Sequence, residues 1–178
     1  KALTARPDYA TAQYNLALLE LKTDRPQSAA ELLERFTKTE SKQVSGFINL
    51  GIAYAKMERL EDAARAMRRA FDLHPADEKA SAYLVRHLRK LNRDSEALEV
   101  SRKAAAAGAV NAEIFEELAR QASREKNNQQ AIEYYRKTIQ LDPDAKLYFN
   151  LGLALRRQDR FEEALEAYES AIKLNAKY

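Results

Sequence analysis

No arrangement of residues in this sequence matches a known catalytic or metal-binding pattern, although the chain has 27 Asp and Glu residues. The chain of 178 residues has two histidines, His74 and His87, and no cysteine. Zinc sites need several nitrogen or sulfur ligands at short, set spacings, and neither histidine belongs to such a pattern. None of the four glycines lies in the Gly-x-Gly-x-x-Gly or Walker pattern that cradles phosphate groups. The sequence therefore predicts no catalytic residue, no metal and no cofactor.

The composition favours a folded, helical protein. Apolar residues make up 46% of the chain, which excludes a disordered segment. Four Gly and four Pro are too few turn formers for a β-sandwich or a barrel, and Ala, Leu, Glu, Lys and Arg dominate. The net charge of +3 is small for a protein that tracks the phosphates of nucleic acid. We therefore expect no nucleic-acid partner.

No stretch of the sequence predicts a targeting signal or a membrane segment. The first residue is Lys, and no basic-then-apolar pattern opens the chain. No uncharged apolar run approaches the roughly 18 residues that cross a bilayer. We expect a soluble piece of a longer protein that does not insert into a membrane, and nothing in the sequence specifies its compartment.

Two columns of residues recur with one period along the chain. Leucine recurs at spacings of 34, 34, 34 and 33 residues, at Leu16, Leu50, Leu84, Leu118 and Leu151. Alanine recurs at the same spacings, at Ala29, Ala63, Ala97, Ala131 and Ala164. A period of this length is typical of repeat proteins. The predicted repeats 1 to 5 are residues 10–43, 44–77, 78–111, 112–144 and 145–178, and residues 1–9 are expected to be the tail of a preceding repeat.

Each repeat contains two apolar-periodic stretches of about 13 residues, which predict two helices, A and B. Short polar turns such as Glu58-Arg59 separate them. Two helices cannot bury their apolar faces alone, so we expect the repeats to stack into an all-α, right-handed superhelical solenoid with contacts only between neighbours. Repeat 3 is expected to be a weak point, because Ser81, Val85 and Ser101 replace the usual aromatic and glycine residues.

The order of residues within a repeat resembles the tetratricopeptide repeat family. Repeat 5 contains Tyr148-x2-Leu151-Gly152-x2-Leu155, followed by Ala164-x3-Tyr168-x2-Ala171. The family's signature of 34 residues has this order and spacing of aromatic, Leu-Gly, Ala and aromatic positions. The resemblance covers essentially the whole chain. It implies helix-turn-helix repeats whose A helices line a concave groove that binds a peptide.

The resemblance also implies which side chains face that groove, since the family uses six fixed positions of each repeat. The predicted groove residues are Tyr14, Asn15, Leu18, Ile48, Asn49, Ile52, Lys79, Tyr83, Arg86, Arg89, Lys90, Arg120, Arg124, Phe149, Asn150, Arg156 and Arg157. The same register places Glu117 in the groove of repeat 4. The family's clamp for a terminal carboxylate is incomplete here, because only Asn49 and Lys79 match it.

Asn15, Asn49 and Asn150 share the sixth position of their repeats. An asparagine amide both donates to and accepts from one peptide unit. These three residues therefore resemble an asparagine ladder that holds the backbone of an extended peptide. The alternative is that asparagine is merely common at this position in the family.

The basic residues of the predicted groove fall on the later turns of three consecutive A helices. Such a stripe would hold acidic groups of a peptide through charge-assisted hydrogen bonds. The alternative is a solvated face, in which Glu116 and Arg120 form an i,i+4 pair. In the first half of the groove, Tyr14, Leu18 and Ile48 are apolar, and they either hold a partner or pack against neighbouring helices.

Three functional hypotheses remain. The first is a non-enzymatic scaffold that binds a peptide or a partner protein in the groove. The second is the recognition arm of a larger enzyme, such as a transferase, with catalysis outside this chain. The third is a self-assembly module, since the last B helix, with Tyr168, Ile172 and Leu174, is expected to expose an apolar strip.

The alanine column yields a stability prediction. Small residues in this column allow helices A and B of one repeat to approach closely, so Ala164→Leu should overpack their contact. We expect the free energy of unfolding to fall by roughly 1–3 kcal/mol, measured by urea denaturation. A variant as stable as the parent would contradict the predicted helix contact.

Overall fold

The computed structural model describes residues 7–175, with side chains from Tyr9 onward. These residues form ten α-helices and no strand, which confirms the predicted all-α class. The helices are α1 (Pro7–Lys22), α2 (Pro26–Thr39), α3 (Val44–Lys56), α4 (Leu60–Leu73), α5 (Glu78–Lys90), α6 (Asp94–Ala106), α7 (Ala112–Arg124), α8 (Asn128–Leu141), α9 (Ala145–Arg156) and α10 (Phe161–Asn175). Most of the predicted tail, residues 1–9, lies outside the described residues, and α1 already begins at Pro7.

The chain divides into two compact units, residues 1–94 and residues 95–178. We call them the N-terminal unit and the C-terminal unit. The boundary falls inside predicted repeat 3, whose sequence departs most from the pattern. In the N-terminal unit, α1 packs on α2, α2 on α3, α3 on α4 and α4 on α5. In the C-terminal unit, α7 packs on α8, α8 on α9 and α9 on α10. Each B helix named here thus contacts the A helix before it, and α2, α4 and α8 also contact the A helix that follows.

The turn between helices A and B has the same geometry in all five hairpins. One residue of each turn has a positive φ of 56° to 59°, and these residues are Asp24, Glu58, Asn92, Lys126 and Asp159. The next residue donates its backbone N–H to a carbonyl five residues earlier, as from Arg25 to Glu20 (2.8 Å) and from Arg160 to Leu155 (3.1 Å). A left-handed residue with this bond ends a helix and satisfies its last carbonyls. The turns lie where the sequence predicted them.

Local sequence also determines where the helices begin. Pro26 occupies the first turn of α2, where its missing N–H costs no hydrogen bond. Asp77 accepts from the N–H of Ala80 at the start of α5 (2.8 Å), and Asp144 accepts from that of Lys146 at the start of α9 (2.8 Å). Side-chain acceptors at these positions satisfy backbone donors that no helical carbonyl reaches. The A helices therefore start at defined residues, which sets the register of the side chains they present.

Small residues let helices A and B of a repeat pack closely. All five alanines of the repeated column are buried. A Cβ atom added at Gly152 would lie 2.5 Å from the Tyr168 ring, and one at Gly51 would lie 2.7 Å from Cε of Met67. A side chain at either position would therefore require Tyr168 or Met67 to shift.

In repeat 3, two serines occupy buried positions that are usually aromatic in the other repeats. Ser81 and Ser101 are fully buried. Each hydroxyl donates to a backbone carbonyl of the preceding turn, from Ser81 to Asp77 (2.7 Å) and from Ser101 to Ala97 (2.9 Å). Hydroxyls paired in this way avoid the cost of an unsatisfied buried group. They contribute less apolar contact than the aromatic residues they replace.

Gly46 offers a test of how tightly consecutive repeats pack. A Cβ atom there would lie 2.7 Å from the buried ring of Phe36 on α2. The overpacking cost of about 1–3 kcal/mol exceeds the helix-propensity gain of up to about 1 kcal/mol. We expect Gly46→Ala to lower the free energy of unfolding by about 1 kcal/mol in urea denaturation. The exposed Ser28→Ala should stay within about 0.5 kcal/mol of the parent, and equal stability of the two variants would contradict the close contact.

Candidate peptide-binding groove

An open groove of about 900 Å³ lies in the N-terminal unit, between α1, α3, α5 and the loops before α3 and α5. We call it the N-terminal groove. Six of the predicted groove residues line it, namely Tyr14, Ile48, Asn49, Ile52, Lys79 and Tyr83. They converge because consecutive A helices present equivalent positions, and residues four apart lie on one face of a helix. Ile48 and Ile52 form one such pair, and Lys79 and Tyr83 form another.

One hydrogen bond joins two walls of this groove. Nδ2 of Asn49 on α3 donates to the hydroxyl oxygen of Tyr14 on α1 (2.9 Å). The ring of Tyr14 is held from behind by Phe36, with ring centroids 4.9 Å apart. This bond orients the Asn49 amide, whose carbonyl oxygen and second N–H are the groups that a peptide unit can use.

The loops between repeats contribute polar residues that the helix-A register did not include. Lys42 and Gln43 precede α3, and His74 and Asp77 precede α5. Asp77 caps α5, so its carboxylate is already in use. Lys42 and Lys79 are exposed and bring two ammonium groups to the groove. The six groove positions of the resembled family all lie within helix A, and for that reason the sequence analysis missed these loop residues.

A buried histidine lies next to the groove residue Tyr83. His87 is buried on α5 and stacks on the Tyr83 ring, with ring centroids 6.3 Å apart. Burial, together with the nearby Lys90 and Arg86, lowers the pKa of His87 below its ordinary value. The ring is therefore neutral at pH 7 and serves as a packing group behind Tyr83.

Two predicted residues of α1 do not line the N-terminal groove. Asn15 is exposed and Leu18 is half-buried, and neither is among the groove's lining residues. The apolar part is also smaller than the sequence suggested, because Ile48 is largely buried. This agrees with the alternative interpretation, in which some of these side chains pack against neighbouring helices.

The predicted basic stripe begins on the last turns of α5. Arg86, Arg89 and Lys90 all lie there, and Arg86 and Lys90 are exposed. The guanidinium carbon of Arg86 lies 5.4 Å from the centre of the Tyr83 ring. A cation over an aromatic face is attracted to it, which positions Arg86 beside the groove residue Tyr83.

Arg120 takes part in a structural ion pair. Its Nη2 lies 2.7 Å from Oε2 of Glu117, which is fully buried, and its Nη1 lies 3.8 Å from Oε1 of Glu116. The register of the resembled family places Glu117 in the groove of repeat 4, and the structure shows that this side chain is fully buried. A buried carboxylate requires a positive partner, so the charge of Arg120 is neutralised locally rather than offered to a ligand.

The remaining predicted residues lie in the C-terminal unit. Arg124 donates to Oε1 of Gln121 (3.3 Å). Phe149 is exposed and rests on Tyr168, with ring centroids 6.0 Å apart. Asn150 is half-buried, and Arg156 and Arg157 are exposed.

A second depression, of about 370 Å³, lies between α7, α9 and the end of α8. Its charged residues are mainly acidic, and they are Glu113, Glu116, Asp142, Asp144 and Lys146. Glu113, Glu116 and Lys146 occupy groove positions of the resembled family, whereas none of the predicted binding residues of this unit lines the depression, namely Arg120, Arg124, Phe149, Asn150, Arg156 and Arg157. The C-terminal unit thus presents a depression of the opposite sign to the predicted stripe.

The described part of the chain, residues 7–175, contains no cluster of His, Cys, Asp or Glu that could hold a metal ion. Over the same residues, no helix has both the length and the apolar character needed to span a bilayer.

The ion pair of Arg120 predicts a stability effect. Arg120→Ala leaves the buried Glu117 carboxylate without this partner, so we expect the free energy of unfolding to fall by about 3 kcal/mol in urea at pH 7. The exposed Arg156→Ala makes the same change of charge and should cost no more than about 0.5 kcal/mol. If both variants lost the same small amount, Arg120 would not be a structural residue.

Comparisons with solved structures support the same fold. A crystal structure of MamA is 20% identical, with 94% of this chain and 92% of that chain covered and a TM-score of 0.73. MamA 41-end from Desulfovibrio magneticus RS-1 is 24% identical, with 97% and 98% covered and a TM-score of 0.72. At these identities the likeness shows the fold alone.

A curated human relative matches a shorter part of the chain. Protein O-mannosyl-transferase TMTC1 of Homo sapiens is 26% identical over 131 residues. The match covers 71% of this chain but only 15% of the length of that relative.

Family models account for most of the chain. Two tetratricopeptide repeat models match residues 112–144 and 145–178, the bounds of predicted repeats 4 and 5. The model of the bacterial transcriptional activator domain matches residues 10–109, more than half of the chain. The chain therefore belongs to the tetratricopeptide repeat family, a family of protein-interaction scaffolds, and residues 10–109 belong to the bacterial transcriptional activator domain family.

Proposed function

We propose that this protein is a non-enzymatic scaffold that binds an extended segment of a partner protein in the N-terminal groove. The observation that carries the proposal is the convergence of six helix-A side chains on one open groove of about 900 Å³. A groove of this size and openness accommodates a short stretch of extended chain, and its lining offers both apolar and polar contacts.

The groove residues suggest a division of roles. Ile52 and the exposed part of Tyr14 offer apolar contact to a side chain of the segment. The Asn49 amide, oriented by Tyr14, pairs with a peptide unit of its backbone. Lys42 and Lys79 attract an acidic side chain or a terminal carboxylate. The preferred segment is therefore extended and apolar, with an acidic group near one end.

The chain offers a matched pair of variants for testing the groove. Asn49 and Lys79 occupy the sixth and second positions of their repeats, and Asn150 and Lys146 occupy the same positions of repeat 5. Peptides selected from a random library displayed on phage serve as the probe, with affinity measured by fluorescence anisotropy. We expect the double variant Asn49→Ala, Lys79→Glu to bind at least about tenfold more weakly, and Asn150→Ala, Lys146→Glu to bind like the parent.

Equal binding by both double variants would refute the N-terminal groove as the binding site. Failure to select any peptide would refute peptide binding itself. The affinity of the parent should also fall as salt is added, because the two lysines act through exposed charges. A single-stranded RNA competitor should not displace the peptide, and displacement would favour a nucleic-acid ligand instead.

A second candidate function is the recognition arm of a larger protein. It is favoured by the match to a small part of a relative named as an O-mannosyl-transferase, and by the bacterial transcriptional activator domain match over residues 10–109. In either setting the chain would supply binding while another domain supplied the activity. The full-length sequence tests this, since a catalytic or DNA-binding domain on the same chain is the expected finding.

A further inference from the structure

An apolar pocket beside several arginines lies between α4, α5 and the turn after α5, within the N-terminal unit. We call it the arginine pocket. Its volume is about 300 Å³, and its lining residues are Ala64, Arg65, Arg68, Arg69, Leu84, Leu88 and Arg93. Ala64, Leu84 and Leu88 are buried and form its apolar part, whereas Arg65 and Arg69 are exposed. The arginine pocket shares no lining residue with the N-terminal groove.

The space arises because repeat 2 has a small residue where repeat 4 has a large one. Ala64 on α4 occupies the position that Ile132 occupies on α8. Ile132 packs in one cluster with Leu151 and Leu155, which are the equivalents of the two leucines of the arginine pocket. Alanine lacks most of the isoleucine side chain, so a volume that repeat 4 fills from within is left open at the arginine pocket.

The charge at the pocket also departs from the pattern of the other repeats. The position of Arg65 is glutamate in all four of them, at Glu31, Glu99, Glu133 and Glu166. Two of these glutamates pair with a lysine four residues later, Glu99 with Lys103 (2.5 Å) and Glu133 with Lys137 (2.7 Å). In repeat 2 the residue four later is Arg69, so two positive charges lie one turn apart, which disfavours an isolated helix. Repeat 2 thus concentrates positive charge beside the arginine pocket.

Two acidic residues of α4 contact these arginines from outside the pocket lining. The carboxylate of Asp62 is shared by Arg59 (2.6 Å) and Arg65, so one negative charge faces two guanidinium groups. Oε2 of Glu61 lies 3.1 Å from Nη1 of Arg93. The side chains of Arg65 and Arg93 are 74% and 40% exposed. Exposed ion pairs contribute little to stability, so these guanidinium groups can share their charge with the carboxylates of a ligand.

We propose that the arginine pocket is a second binding site, which takes an acidic segment of a partner protein. One large apolar side chain of the segment enters between Ala64 and Leu88, and carboxylates on either side of it contact Arg65, Arg69 and Arg93. A guanidinium group binds a carboxylate through two parallel hydrogen bonds, which favours acidic over other polar neighbours. The volume suits a single side chain, which favours a protein segment over the long acyl chain of a lipid. Binding here does not depend on the N-terminal groove.

Short synthetic peptides test the chemistry of this site. Each has two glutamates on either side of a central residue, which is leucine, isoleucine, phenylalanine or alanine, and affinity is measured by fluorescence anisotropy. The peptides are added to the double variant Asn49→Ala, Lys79→Glu, so that the N-terminal groove does not contribute. We expect at least one peptide with a large central residue to bind at least about tenfold more tightly than the alanine peptide. Equal binding of all four peptides, or binding of none, would overturn the proposal.

Two further substitutions, made in the same double variant, localise the site. Ala64→Ile fills the pocket with the residue that repeat 4 has at this position, and Arg65→Glu restores the glutamate of the other repeats. Each should weaken binding of the tightest peptide at least about tenfold. Circular dichroism and urea denaturation check the fold, and Arg65→Glu, at an exposed residue, keeps the test decisive if Ala64→Ile does not fold. Unchanged affinity of either folded variant would contradict binding in the arginine pocket.

Arg35→Glu is the matched control for charge. Arg35 is exposed and occupies in repeat 1 the position of Arg69 in repeat 2. Affinity for the tightest peptide should stay within about twofold, because a distant exposed charge is screened by salt. A loss equal to that of Arg65→Glu would indicate attraction by net charge alone and would overturn the proposal. Phosphatidylserine vesicles are the last probe, and vesicle binding that Arg65→Glu abolishes, without peptide binding, would assign the pocket to a membrane surface instead.

Discussion

The fold depends on the burial of one helix's apolar face by the next helix along the chain. A single hairpin of about 30 residues cannot remove enough apolar surface from water to balance the conformational entropy it loses. The leucine column shows this dependence: Leu50 and Leu151 are buried in clusters with residues of the preceding B helix, whereas Leu16, on the first described helix, is exposed. The same interaction explains why alanines and glycines recur, because a larger side chain would hold the helices apart.

The N-terminal groove results from this packing of consecutive helices. The recurring left-handed turn residue ends each A helix at an equivalent point, and a side-chain cap such as Asp77 or Asp144 starts α5 and α9 at defined residues. Equivalent positions of consecutive A helices consequently come together on one side of the N-terminal unit. There they line a surface that has both apolar and polar side chains, and a hydrogen bond already joins two of them, Tyr14 and Asn49. A wall arranged in this way loses little side-chain entropy when it binds a peptide.

Charged side chains have two roles in this protein, and the solvent exposure of each charged group distinguishes one role from the other. Glu117 is fully buried, so Arg120 balances its charge, and that pair contributes to folding. Lys42 and Lys79 are exposed beside the N-terminal groove, where they can meet a charged ligand. Basic residues of this chain therefore have different roles, because Arg120 lies beside a buried carboxylate and Lys42 and Lys79 do not.

The sequence by itself determined the helical class, the period and the turns, which follow from residue spacing. The six helix-A side chains that line the N-terminal groove were among the 17 implied by the resemblance to the tetratricopeptide repeat family, and the sequence did not single them out. Only the tertiary structure decided that Glu117 is fully buried and that loop residues such as Lys42 and His74 reach the groove. The tertiary structure also decided that Leu16 and Leu165 lie open. Such features depend on which helix covers a given position. The residue types at equivalent positions of the repeats do not specify which side chains surround each of them.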